Sequence, residues 1–152
     1  MKTLASTVRE RGEGEQRWFC GGGLITWKAT SEETGGAFLL FEDELDAGKV
    51  TPMHRHPTAD ETFCMLEGEI LLDIDGTQRT LHAGGVAVLP RGVPHAYMAT
   101  TTARMLCLQT PGDGEAFYRL ASEAEPTPVD LARIRDAALR TGAIEILGPP
   151  PF

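Results

Sequence analysis

The 152-residue sequence predicts an all-β fold with a helical C-terminal extension. Three observations predict it. Short runs of β-favouring residues recur through the middle of the chain; Gly, Pro or Asp-Gly separates them; and the pattern turns helical only after Pro111. With 17 Gly and 10 Pro the chain can reverse many times, and its 41% apolar residues suffice for one core without disulfides.

Residues 1–23 read as an N-terminal segment ahead of the barrel. The strand-like runs then follow in order: LITWKA (24–29), AFLLFEDEL (37–45), ETFCMLEG (61–68), EILLDID (69–75), TQRTLHA (77–83), GVAVLP (85–90), HAYMAT (95–100) and ARMLCLQT (103–110). Their regular spacing over 24–112 is that of a sandwich or barrel. Asp75-Gly76 marks a hairpin, because a two-residue reversal there needs positive φ. The acidic stretch FEDELDAG (41–48) reads as a solvated strand end rather than a second cation site.

The remainder, 113–152, changes character. GEAFYRLASE allows a short helix and TPVDLARIRDAALRTG a better one, with Thr127 as cap, Pro128 in the first turn, Leu131, Ile134 and Ala138 on one face and Gly142 as the stop. The tail AIEILGPPPF cannot be helical through its three prolines. It is expected to drape on the surface, an arm in a dimer being the other reading.

A net charge of -8 and the lack of a basic run exclude a binder of nucleic-acid phosphates. The N-terminus has no apolar signal core, and no window reaches the roughly 20 apolar residues of a membrane span. A cytoplasmic protein without membrane contact is therefore expected. Cys20, Cys64 and Cys107 are odd in number and lack CxxC spacing, so they read as reduced thiols packed as small hydrophobes.

The chemistry concentrates in GKVTPMHRHPTADETFCMLEG (48–68). His54 and His56 lie two apart on an extended segment and point the same way, with Arg55 between them pointing elsewhere. After the turn Pro57-Thr58-Ala59-Asp60, Glu61 opens the next strand and can bring a carboxylate to the same point. A further imidazole is available from His95, at the mouth of the strand that follows PRGVP. Two or three imidazoles with one carboxylate suit a divalent first-row metal.

These residues resemble the cupins. The family's first motif is matched by Gly48, His54, His56, Glu61 and Gly68, and its second by Gly84, Pro90, Gly92 and His95. Ala99 stands where the family commonly has Asn, a position that does not ligate the metal. The resemblance implies a double-stranded β-helix, the cupin or jelly-roll barrel, with a metal held by His54, His56, Glu61 and His95. The metal would be iron, manganese, nickel, cobalt or zinc. Glu61 would serve as ligand and as base.

Single-residue alternatives are ordinary ones: a surface histidine pair, a solvated Glu61, or a His95 that satisfies a backbone carbonyl. His82 reads as a surface residue, and Asp60 should face away from Glu61. Alternation sends Phe63 and Met65, and Tyr97 and Ala99, to the inner face, as pocket walls or plain core.

Among cupins the resemblance divides into oxygenases, sugar-phosphate isomerases and epimerases, hydrolases and decarboxylases, and domains that bind ligands without turnover. An apolar, aromatic pocket and a C-terminal extension like that of small bacterial quercetinase-like members favour a dioxygenase acting on an aromatic or enol substrate. A phosphate-binding isomerase would need cations near the metal. Arg55, Arg79, Arg91 and Arg104 are available, but Arg55, between the two histidines, should point away, so a phosphate site is less supported. The family also implies a small-molecule partner and a homodimer.

Overall fold

The structure is a computed structural model that describes residues 4–19 and 21–152; Cys20 lies outside the described residues. Strands β1 (Gln16–Phe19), β2 (Gly23–Ala29), β3 (Leu39–Leu45), β4 (Met53–Arg55), β5 (Asp60–Glu67), β6 (Glu69–Ile74), β7 (Thr77–His82), β8 (Val86–Leu89), β9 (His95–Ala99) and β10 (Ala103–Thr110) come first. Then follow α1 (Glu115–Ala121), β11 (Ser122–Glu123), α2 (Leu131–Thr141) and β12 (Glu145–Gly148).

The strands form two antiparallel sheets. The larger runs β11-β1-β2-β3-β10-β5-β8 and the smaller β12-β4-β9-β6-β7. Inward-facing residues of both sheets make one core, as sheet packing requires of alternating strands. In β10 the alternation is complete: Ala103, Met105, Cys107 and Gln109 are buried, and the residues between them are half-buried. The chain is thus the double-stranded β-helix with C-terminal helices.

Turn chemistry sets the strand registers. Asp75 and Gly76 both take positive φ, 50° and 84°, so β6 and β7 close as a two-residue hairpin whose twist suits the strands. Gly68, between β5 and β6, has φ 72°, and a Cβ there would collide with the Thr102 carbonyl oxygen. Glycine is the residue that fits such a crossing.

The ends of the chain join the barrel more closely than the sequence predicts. β1, from the N-terminal segment, pairs with β2 and β11. The tail is not draped: β12 pairs with β4, Ile146 opposite His54, because Glu145–Gly148 is extended, ahead of the prolines, and meets an open sheet edge. The cap of α2 is Asp130, whose carboxylate accepts from the Arg133 N–H at 3.0 Å, not Thr127. Pro128 therefore precedes the helix. Gly142, left-handed at φ 65°, ends it as expected.

Helix α1 docks by its aromatics. Phe117 and Tyr118 pack edge-on against Phe19, and Tyr118 against Trp27 and Phe41. Helix α2 buries Ile134, Ala137 and Ala138. Among the described residues no helix is long and apolar enough to cross a membrane.

Candidate metal centre

His54 and His95 face each other across β4 and β9, and their ring centroids are 4.4 Å apart. His56 lies one residue past β4, with its ring 5.3 Å from that of His54 and 5.5 Å from that of His95. Glu61 enters from β5 in the other sheet. Its Oε2 is 3.0 Å from both His56 Nε2 and His95 Nε2. One ligand atom from each of the four residues falls within 4.8 Å of the others, and all four side chains are buried.

Local structure explains this convergence. Pro57 and the turn after it break the extended segment, so Glu61 returns in the opposite sheet and points back at the histidines. Arg55 faces outward and pairs with Glu145 at 2.8 Å; Asp60 also faces out, held by Arg91. His82 is exposed, 3.1 Å from Glu69.

The hydrogen bonding of the imidazoles fits a metal. His54 Nδ1 lies 2.8 Å from the Pro52 carbonyl, and His95 Nδ1 3.0 Å from that of Val93. With a metal bound, donation from Nδ1 would leave each Nε2 its lone pair for the metal, the tautomer a metal selects. His56 Nε2 is buried and makes no hydrogen bond despite its 3.0 Å approach to Glu61. A buried nitrogen without a partner is costly, and a metal at the centre of the cluster would satisfy it.

The electrostatics agree. Burial, with His95 and His56 alongside, lowers the His54 pKa to about 3, so its ring is neutral and able to ligate. Burial by itself would raise Glu61, but the nearby charges of His56 and His95, with the hydrogen bond from His95, hold it well below the usual carboxylate range. Burial works against a charged His95, yet the hydrogen bond and charge of Glu61 and the Val93 carbonyl raise its pKa overall. The site is a buried, anionic oxygen facing imidazoles.

Two supporting residues escape the sequence motifs. Gln109 lies opposite Glu61 in the β5–β10 register, and its Nε2 donates to Glu61 Oε1 at 3.2 Å and to the Tyr118 hydroxyl oxygen at 2.6 Å. The chain signals it: Gln109 closes an inward series of apolar residues, where a polar side chain needs a buried partner. Asp43 is the other. It belongs to the acidic stretch read above as solvated, yet Glu42 and Asp43 are both buried. β3 continues through them as an interior strand, so the solvated reading fails.

A cavity of about 40 Å³ adjoins the cluster, walled by His54, Glu61, Phe63, Tyr97 and Tyr118 among others. Phe63 and Tyr97 therefore stand where the sequence puts pocket walls. Met65 and Ala99 do not: they lie farther along their strands, packed within the core. Ile134 of α2 and Ile144 and Ile146 around β12 close the outer side, and with Pro52 they also wall a groove of about 570 Å³ outside. Cys107 is a buried free thiol whose pKa burial drives well upward, and Cys64 is only half-buried. The Cys107 thiol is therefore not an activated nucleophile.

Comparison with known proteins agrees with this geometry. The Cupin domain model matches residues 41–109, the segment that holds all four cluster residues. The chain is 31% identical to quercetin 2,3-dioxygenase of Bacillus subtilis over 113 residues, 74% of this chain and 33% of that enzyme. It superposes on an RmlC-like cupin from Shewanella frigidimarina with a TM-score of 0.63 and 19% identity, covering 70% of this chain and 92% of the other. For a predicted oxalate decarboxylase from Thermotoga maritima the TM-score is 0.62 and the identity 22%, covering 70% and 99%. Residues 41–109 of this chain match a cupin domain, and its fold is that of the cupins. The chain spans a third to a half of the length of the curated relatives it matches.

Proposed function

We propose that the protein is a metal-dependent dioxygenase acting on a small aromatic or enol substrate. The observation that carries this reading is the buried cluster of His54, His56, Glu61 and His95 beside an aromatic-walled cavity. A divalent metal bound there would supply Lewis-acid activation of a substrate oxygen, with positions left for a second ligand. Glu61 would act as base, a reading its contacts support: Oε2 faces the cluster, and Gln109 donates to Oε1. Phe63 and Tyr97 would bound a planar ring, and Ile134 and Ile144 would exclude water from it.

The likeness to quercetin 2,3-dioxygenase supports an oxygenase. Electrostatics weigh against a sugar-phosphate substrate, because among the described residues no Lys or Arg walls the cavity. Arg55, Arg91 and Arg104 are paired with Glu145, Asp60, and Glu42 with Glu67. The size of the cavity supports a second reading, a metal-containing binder without turnover. About 40 Å³ holds only a few water molecules, so any organic ligand requires the isoleucine wall to move.

Oxygen-electrode assays of the metal-loaded protein with flavonols and one-ring enols test the choice. Stoichiometric oxygen uptake coupled to substrate loss is expected. Tight binding of the same compounds with no uptake would replace the oxygenase by the binder.

A further inference from the structure

Strand β3 brings a second carboxyl into the barrel. Asp43 is 2% exposed, and its Oδ2 accepts a hydrogen bond from the Tyr97 hydroxyl at 3.2 Å. Its Oδ1 is buried and has no hydrogen-bond partner. Asp43 and Tyr97 wall the same cavity as His54 and Glu61, and most of the remaining surface there is apolar.

An acceptor oxygen in such surroundings is expensive, because it has given up water and gained nothing for it. Burial raises the Asp43 pKa to about 6, against the opposing charge of Lys49 and the hydrogen bond from Tyr97. A structural role would be met by the Tyr97 bond alone. The unpartnered oxygen is what a ligand with a donor group would use. A nearby positive charge already serves this carboxyl, which favours a neutral hydroxyl over an ammonium as that donor.

We propose that Asp43, oriented by Tyr97, is the hydroxyl-recognising end of the ligand site. The ligand is a small, largely apolar ring with metal-binding oxygens at one end and a hydroxyl at the other, and that hydroxyl donates to Asp43 Oδ1. This rests on the metal-site reading of His54, His56, Glu61 and His95.

The test uses full-length protein loaded with Co(II) and two probes, kojic acid and 5-hydroxy-2-methyl-4-pyranone. Both carry the same chelating hydroxy-ketone, and they differ only in a distal hydroxymethyl against a methyl. Binding is read from the visible bands of the metal. The wild type is expected to bind kojic acid about tenfold tighter or more, since a polar site penalises an analogue that lacks its donor. Asp43→Leu should erase that preference, so that the two probes bind alike, and its retained Co(II) bands show that the variant is folded and loaded. Tyr97→Phe should reduce the preference in part.

Equal affinity of the two probes for the wild type would overturn the proposal and leave the metal site standing. So would an Asp43→Leu variant that keeps the preference or loses both probes alike. If the wild type develops no visible bands of a bound Co(II), the metal-site reading fails and this proposal fails with it; bands that neither probe perturbs would overturn this proposal alone.

Discussion

Gln109 holds Glu61 from the neighbouring strand, its amide nitrogen 3.2 Å from Oε1 while Oε2 lies 3.0 Å from the imidazoles of His56 and His95. This division of labour makes Gln109 a positioning residue. Gln109→Leu leaves one carboxylate oxygen buried without a donor and frees Glu61 to rotate. Metal affinity should fall roughly 10- to 100-fold, as for other outer partners of ligands. Competition with a chromophoric chelator measures it. An unchanged affinity would show that Gln109 only fills space.

Gly114 makes room for that amide. A Cβ on Gly114 would collide with Gln109 Oε1, although its φ of -76° suits any residue. Gly114→Ala should therefore destabilise the protein by about 1–3 kcal/mol through overpacking. It should also weaken metal binding in the same direction as Gln109→Leu. Urea unfolding and the chelator assay read the two effects separately, and a loss of stability with full metal affinity would break the link.

Asp43 predicts a dependence on pH. Its folded pKa of about 6 lies above the ordinary 3.8, so the fold prefers the protonated form. The stability this contributes is full below the ordinary value and is lost as pH rises through about 6. Asp43→Asn stays neutral throughout. In metal-free protein its stability relative to wild type should improve by roughly 2–3 kcal/mol between acid and neutral pH. Urea unfolding at about pH 4 and pH 7.5 gives the comparison; a difference independent of pH would place Asp43 in contact with water.

The isoleucine wall governs access. Ile134 is buried and separates the inner cavity from the outer groove. Ile134→Ala should cost about 2–5 kcal/mol of stability. It should also speed the entry of one-ring chelators to the metal, followed by stopped-flow absorption. Unchanged entry kinetics would move the access route elsewhere.

Much of this site is legible in the chain because its residues are local. His54, His56 and Glu61 fall within one turn-broken segment, and the Asp75-Gly76 hairpin and the prolines before His95 announce the return of the second half. The strands from Leu24 onward announce themselves by alternation and punctuation. What escapes is set by pairing across long separations. β12 is an edge strand only because β4 is there to receive it, and β4 itself is three residues long. Asp43 looks solvated because acidic residues surround it in sequence, whereas its burial depends on β10 and β2 on either side. Met65 and Ala99 share the inward face with Phe63 and Tyr97, but distance along the strand from the metal end is not a property of alternation.

The central claim is that His54, His56, Glu61 and His95 hold one divalent metal. Elemental analysis of tag-free protein, beside a His54→Ala, His56→Ala double variant purified identically, tests it most directly. The wild type should carry close to a full equivalent of a divalent transition metal and the folded variant next to none. Equal metal in the two preparations would contradict the claim.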